Sequence, residues 1–282
     1  MLIVRFFSNF CSSDEAMNKF IKTSDIENDP DYNKKYTFTT KDNYTHAILL
    51  NNATPKLTIP PKCVIGLAHE PIEILPITTS FISYAKQFIG KYFIGNKRNL
   101  GEPFIERCGY LWHWLPELKE KVINKPKKMS IMVSKKKASK GHKYRHSLVN
   151  EILNSDLEID IYGNGCKYFS VNDKRLKGEF DCSKKMLDDY EYHICIENNQ
   201  SPEYFSEKVI NPLLCNTIPI YLGSKNIEKY FGDMVIKLSG NLIKDMELIR
   251  ELHGKNREKE IDLQHVKEKI SIKNVINEFL NV

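Results

Sequence analysis

Two strand-length apolar runs joined by one polar loop and one short helix constrain this chain more than any other feature: residues 194–223 read ICIENNQSPEYFSEKVINPLLCNTIPIYLG. Ile194–Ile196 and Ile218–Leu222 are short and β-branched, whereas Ser206–Leu214 repeats its apolar residues at helical spacing. A strand, a helix and a strand in that order imply parallel pairing, because a parallel neighbour is reached only through a crossover. The same alternation fills the second half of the sequence. Met129–Val133 reads as a strand, His146–Leu153 as a helix and Leu157–Tyr162 as a strand ending in Gly163-Asn164-Gly165. A short helix over Ser183–Asp189, a strand over Tyr192–Ile196 and a strand over Met234–Leu238 complete it. Pro212 is expected to kink or shorten its helix, since it lacks the N–H that the helix ladder needs.

The first half repeats the theme less regularly. Leu2–Phe7, Ala47–Leu50 and Cys63–Leu67 read as strands and Asp14–Lys22 as a helix, while Tyr84–Ile94 fits either. Tyr110–Pro116, with Trp112 and Trp114, is expected at a domain surface. A chain of 282 residues exceeds one ordinary core, and Lys119–Lys128 trades periodicity for charge and Pro126. The expected division is 1–124, 125–255 and a tail, 256–282. Ile272, Val275, Ile276, Phe279 and Leu280 form an apolar stripe in that tail, marking a helix expected to pack back on the first domain. The fold class this predicts is α/β, with two Rossmann-like domains built on parallel sheets.

The net charge of +6 is local rather than general. Nine Lys and Arg and no acid lie between Lys125 and Arg145, so the remainder of the chain is mildly acidic. Such a segment fits a solvated linker, a nucleic-acid patch or the mouth of a site for an anionic ligand. The seven cysteines are scattered, with no CxxC and no zinc spacing, which predicts reduced thiols in a cytoplasmic protein. No run of eighteen apolar residues is present, so no transmembrane segment is expected, and the apolar stretch Met1–Phe10 is read as holding the strand Leu2–Phe7 rather than a leader.

In an open α/β sheet, ligands sit beyond the carboxyl ends of the strands, where a helix N-terminus offers unpaired N–H groups to an anion. Ser206-Glu207-Lys208 is such a start, and Lys208 adds a full charge; the pair also fits an ordinary first helical turn capped by Ser206. Gly163-Asn164-Gly165 fits a phosphate loop or a tight turn. Glu197, a carboxylate closing an apolar strand, suits an anchor for loop backbone.

The segments Ile196-Glu197-Asn198-Asn199-Gln200, Tyr204-Phe205-Ser206-Glu207-Lys208 and Pro219-Ile220-Tyr221-Leu222-Gly223-Ser224 resemble, at matching spacing, the C-terminal signature of the family 10 α-1,3/4-fucosyltransferases. The likeness is specific over about 30 residues and weak in the first half. It implies a GT-B-like arrangement of two Rossmann-like domains facing across a cleft, with the GDP-sugar on the C-terminal domain and the glycan acceptor mainly on the N-terminal one. By that resemblance Glu207 matches the acid at the ribose and Lys208 the lysine on the donor phosphates. Tyr204 matches an aromatic near the donor, Asn198 the loop asparagine beside it, and Arg145, at a helix start, the arginine holding the diphosphate.

Glycosyl transfer also needs a base for the acceptor hydroxyl. Glu70, just past an apolar strand in Ile65-Gly66-Leu67-Ala68-His69-Glu70-Pro71, matches the family's strand-end glutamate, with His69 and Glu73 as rivals. The implied activity is inverting transfer of fucose from GDP-fucose to a glycan hydroxyl. Another GDP-hexose, and a non-enzymatic nucleic-acid binder using residues 125–145, are the alternatives. No Asp-x-Asp pair sits at a strand end, so no cofactor and no divalent metal are expected, Lys208 and Arg145 taking the metal's place.

Overall fold

In the computed structural model, which describes residues 1–108, 124–180, 186–257 and 260–281, the chain forms two parallel six-stranded sheets, one in each of two compact units. The readings for Tyr110–Pro116 and for the first three residues of Ser183–Asp189 fall outside the described residues, while Leu187–Asp189, expected to be helical, form a turn.

The first unit comprises Met1–Glu117, Ser201–Tyr204 and Lys267–Val282. Its strands are β1 (Leu2–Ser8), β2 (Tyr36–Phe38), β3 (His46–Leu50), β4 (Val64–Leu67), β5 (Lys91–Ile94) and β6 (Phe104–Glu106), in the order β2-β1-β3-β4-β5-β6. The helix α1 (Ser13–Thr23) starts where the Ser12 side chain accepts the Glu15 N–H at 3.1 Å, with Asp14 and Glu15 at the positive end of its dipole. It buries Ala16 and Phe20, and the Phe20 ring stacks on Phe6 of β1 with centroids 4.6 Å apart. Tyr84–Ile94, open between helix and strand, divides into α2 (Thr79–Phe88) and β5, separated by Ile89 and Gly90. β2 and β6 are three-residue edge strands, too short to show a period of two in sequence.

The second unit comprises Leu118–Gln200 and Phe205–Val266. Its strands are β7 (Lys127–Met132), β8 (Ile159–Tyr162), β9 (Leu176–Gly178), β10 (Tyr190–Ile196), β11 (Ile218–Leu222) and β12 (Ile236–Lys237), in the order β12-β11-β10-β7-β8-β9. That is the 3-2-1-4-5-6 order of dinucleotide-binding sheets, with the topological switch between β7 and β10. The central strands are buried on both faces, as the near-continuous apolar runs Ile194–Ile196 and Ile218–Leu222 require. The helices are α3 (Lys140–Leu153), α4 (Glu207–Leu214), α5 (Glu228–Phe231), α6 (Leu242–Gly254) and α7 (Leu263–Ile270), the last running on into the first unit. α3 begins six residues earlier than His146, because Ser139 caps it with a capping box to His142 that the surrounding lysines obscure. α4 ends two residues after Pro212.

The tail belongs to the first unit from Lys267 onward. Its closing helix α8 (Lys273–Leu280) buries Val275, Ile276 and Phe279 in one core with Val4, Phe6, Phe20 and Phe93. Glu278 on this helix accepts from Lys91 at 2.8 Å and Arg107 at 2.5 Å. Desolvation, the largest influence on its carboxyl, pushes upward, but the two cations hold it below the ordinary value. A carboxyl lowered in the folded state stabilises above its unfolded value, about 4.3, and that contribution fades as pH falls below it. Urea unfolding of Glu278→Gln should therefore show a wild-type advantage of up to about 1 kcal/mol at pH 6, shrinking towards pH 3. A difference that does not change with pH would remove the ion pairs as its cause.

Candidate functional site

The carboxyl edge of the second sheet gathers its chemistry at the switch point. β10 ends at Ile196, and the Glu197 carboxylate, with a fully buried side chain, turns onto the start of α4. Glu197 Oε1 accepts the Ser206 N–H at 2.8 Å, and the Ser206 hydroxyl reaches both carboxylate oxygens at 2.8 and 2.9 Å. Ser206 in turn caps α4, its Oγ accepting the Lys208 N–H at 3.3 Å. Lys208 Nζ lies 2.9 Å from Glu207 Oε1 and 3.5 Å from Glu197 Oε2. The anchor role read for Glu197 and the helix-start role read for Ser206 are one hydrogen-bonded unit.

Burial, with Glu207 beside it, holds the Glu197 carboxyl above its usual value, although Lys208 and the Ser206 donors favour its ionised form. Burial also works against the Lys208 charge, but Glu197 and Glu207 outweigh it and hold the ammonium above its usual value. Lys208 is therefore a fixed cation at neutral pH. Arg145 is 3% exposed and donates from Nη2 to the Ile196 carbonyl. It sits in the second turn of α3, not at the helix start, because the Ser139 cap begins the helix at Lys140.

Gly141 lets α3 approach this edge. Its N–H donates to the Asn198 carbonyl at 3.0 Å, and a Cβ there would stand 1.8 Å from the Glu197 carbonyl oxygen. Gly223, just past β11, is tight for the same reason: a Cβ would lie 2.5 Å from the Glu197 Cγ and 2.1 Å from the Tyr221 hydroxyl. Sequence reasoning passed over Gly141, although a glycine inside a helix costs about 1 kcal/mol and so signals a close approach. It also passed over His142, which shares the Ser139 cap and whose imidazole is pushed down to about 4 by burial, then by Arg145, Lys136 and Lys208. His142 is neutral among three cations.

The sequence-derived candidates divide between the units. Arg145, Asn198, Glu197, Glu207 and Lys208 share the second sheet's carboxyl edge. Gly163 follows β8 with φ of +106° in a tight turn, where the Asn164 side chain accepts the Lys135 N–H at 2.8 Å and braces the basic loop. Tyr204, expected with the donor residues, belongs to the first unit, since Ser201 Oγ and the Glu203 N–H both donate to the Gly95 carbonyl at 2.9 Å. Glu70 lies three residues past β4, half-buried, also in the first unit. Of its rivals, His69 is pushed by burial down to about 3, which makes it a weak base, and Glu73 is engaged by Arg98 at 2.7 Å.

The basic segment is not one continuous patch. Lys125 holds the carbonyls of Asp188 and Cys215, each at 2.7 Å, and burial pushes it down to about 8. Lys127 pairs with Asp160 and Lys128 with Glu191. Lys135, Lys136 and Lys137 are exposed on the loop between β7 and α3.

Residues 122–239 match the family described as glycosyltransferase family 10 (fucosyltransferase), C-terminal part. This stretch, less than half of the chain, is similar to the C-terminal part of the family 10 fucosyltransferases. It contains Arg145, Gly163, Glu197, Asn198, Tyr204, Glu207 and Lys208, whereas Glu70 lies outside it. An α-(1,3)-fucosyltransferase of Caenorhabditis elegans is 28% identical over 128 residues, 43% of this chain and 32% of that protein. Another, of Drosophila melanogaster, is 41% identical over 91 residues, 30% of this chain and 20% of that protein. The alignments thus span a third or less of these relatives' length. The solved structure of an α1,3-fucosyltransferase with GDP-fucose shares the fold at a TM-score of 0.55 and 13% identity, over 99% of this chain and 89% of that one. The α/β architecture is GT-B-like, with two parallel sheets. Among the described residues, no helix is long and apolar enough to cross a membrane and no His, Cys, Asp and Glu cluster has a metal-binding arrangement.

Two substitutions test the site's construction. Glu197→Ala leaves the buried Ser206 N–H without its acceptor and Lys208 without one counter-charge, a loss expected to cost about 3–5 kcal/mol in urea unfolding. Gly141→Ala is expected to displace the first turn of α3 from Asn198 and lower the melting temperature by several degrees, as about 1–3 kcal/mol of overpacking does. A Gly141→Ala protein as stable as the wild type would show that α3 does not need this approach.

Proposed function

We propose that this chain is an inverting glycosyltransferase that moves a sugar, fucose in preference to other hexoses, from its GDP-linked form to a hydroxyl of a glycan. The observation that carries the proposal is the buried Glu197–Ser206–Lys208 unit at the switch point, beside Arg145, within the family-matched stretch. The relatives' names as α-(1,3)-fucosyltransferases and the presence of GDP-fucose with the solved fucosyltransferase of the same fold support the donor.

In the proposed reaction the acceptor oxygen attacks the anomeric carbon from the face opposite the diphosphate. The bond from that carbon to the phosphate oxygen breaks, GDP leaves with the electron pair, and the hydroxyl proton passes to Glu70. Negative charge grows on the departing diphosphate, and cations held rigidly before the reaction stabilise it without reorganising. Lys208 supplies a point charge. Arg145 supplies a planar fork of five donors, one of which the Ile196 carbonyl takes. Glu207 is given the ribose, Asn198 the donor's surroundings, and no divalent cation is assigned a role. Cys11, Cys63, Cys166 and Cys195 are free thiols, which suits the cytoplasmic setting we propose.

Thermal unfolding separates this reading from a nucleic-acid-binding one. GDP and GDP-fucose at a hundredfold excess over Kd should stabilise the protein by about 2.7 kcal/mol, whereas UDP- and CMP-sugars should not, and Lys208→Ala should abolish the shift. Equal response to all nucleotides, or salt-sensitive binding of oligonucleotides with no GDP response, would overturn the donor assignment. Glu70→Gln should keep the GDP shift and lose about two to four orders of magnitude in transfer rate. Transfer at wild-type rate in Glu70→Gln would return the base to another residue.

A further inference from the structure

Six lysines of the second unit have no task in its fold or in the proposed reaction. Residues 134–150, the loop after β7 and most of α3, hold Lys135, Lys136, Lys137, Lys140, Lys143 and Arg145 and no acid. Residues 163–172, the loop after β8, add Lys167 and again no acid. These seven cations exceed the +6 of the whole chain, so all other residues together carry one net negative charge. The positive imbalance is therefore concentrated at the carboxyl edge of the second sheet. Arg145 is buried, whereas the six lysines are exposed, and among the described residues none of them has an acidic partner.

Their backbone is nonetheless fixed. Asn164 Oδ1 accepts the Lys135 N–H at 2.8 Å and the Val133 carbonyl accepts the Gly165 N–H at 3.0 Å, which ties the two loops together. His146 donates from Nε2 to the Ser134 carbonyl at 2.9 Å, and its ring stacks on Phe169 with centroids 5.7 Å apart. Lys137 Nζ stands 5.2 Å from the centroid of the Tyr168 ring. The loops thus hold the lysines in place and leave their ammonium groups in water. A solvated linker would need no such bracing.

Their position relates them to the buried cations. The loop after β7 leaves the sheet on one side of the switch point, and the Glu197–Ser206–Lys208 unit follows β10 on the other. Arg145, Lys136 and Lys208 all act on the His142 imidazole, each against its protonation. Exposed and buried cations therefore form one positive region. An exposed charge in high dielectric grips a ligand weakly, but its potential reaches about 8–10 Å at ordinary ionic strength. A concave site lined by one sign of charge raises association rates about 10- to 1,000-fold.

We propose that Lys135, Lys136, Lys137, Lys140, Lys143 and Lys167 form an electrostatic funnel that draws the nucleotide's diphosphate to Lys208 and Arg145, setting how fast it arrives rather than how tightly it is held. The proposal rests on the donor reading and gives the basic loop one of the three roles open to it in sequence. Nucleic acid suits the loop less well. Arginine is the preferred fork for its phosphates, and the one arginine among these seven cations is 3% exposed and tied to the Ile196 carbonyl.

Charges at the rim of a site act on association and its salt dependence, whereas buried paired charges act on dissociation. The full chain would be mixed with GDP bearing a fluorescent methylanthraniloyl group, and both rates followed by stopped flow at rising salt. Association should fall about tenfold between about 20 and 300 mM salt, with dissociation nearly constant. Changing Lys135, Lys136 and Lys137 together to Ser should slow association about tenfold at low salt, flatten its salt dependence and leave dissociation within about twofold. The same three positions changed to Arg should restore association, and Lys208→Ala should instead speed dissociation. The serine and arginine variants should keep the wild-type melting temperature, because the three side chains are exposed. Wild-type association in the serine variant, or a loss that lies in dissociation, would overturn the funnel. Salt-sensitive binding of a single-stranded oligonucleotide that needs these lysines while GDP association does not would overturn it in favour of nucleic acid. A protein that binds no GDP loses the donor reading and the funnel with it, whereas GDP bound at a rate indifferent to the lysines removes the funnel alone.

Discussion

A carboxylate buried at the end of a central strand is the constraint around which the second unit is arranged. Removing the Glu197 charge from water is costly unless it is fully bonded and paired. Ser206 supplies both donors and Lys208 the counter-charge, which fixes where α4 begins and the direction in which its first turn points. Gly141 lacks a side chain because the Glu197 carbonyl occupies the space its Cβ would need, and Gly223 because the Tyr221 hydroxyl and the Glu197 Cγ do. One ion thereby sets the start of a helix, the approach of a second helix and the turn after a third strand.

The same buried carboxylate also explains how the Lys208 ammonium is held in place. Lys208 is held by two carboxylates, of which Glu197 is wholly buried and Glu207 partly exposed. Its orientation is settled before any ligand arrives, so little conformational entropy remains to be lost on binding. Arg145 is fixed in a comparable way, tied to the Ile196 carbonyl at the strand end that leads into Glu197. Each sheet, taken by itself, places its polar cluster at its own topological switch. The second gathers cations and carboxylates there, and the first gathers the amides of Asn9, Asn51 and Asn52 and the Phe10 ring.

The central strands of both sheets were legible in sequence because they are buried on both faces and so read as unbroken apolar runs, Ile218–Leu222 most clearly. β2, β6 and β9 were not, since three residues at a sheet margin show no period. The start of α3 was hidden because the lysines around Ser139 and His142 look like a solvated loop, although three cations of the same segment, Lys125, Lys127 and Lys128, are engaged by carbonyls or carboxylates. Lys208 and Glu207 were singled out by their neighbours in sequence. His142 was missed because nothing in its local pattern distinguishes a capping imidazole among cations from an ordinary surface one.

The sequence by itself determined the parallel α/β class, the strand–loop–helix segment with its serine cap and the chemical identity of its charged pair, because each depends on residues close together along the chain. Only the tertiary structure decided that Glu197 is buried and bonded to Ser206, that Arg145 lies in a second helical turn against Ile196, and that Tyr204 belongs with Gly95 of the first unit. These follow from close approaches between segments far apart in sequence. Burial and pairing, which set the charge a side chain can carry, arise from those approaches and leave no local pattern to read.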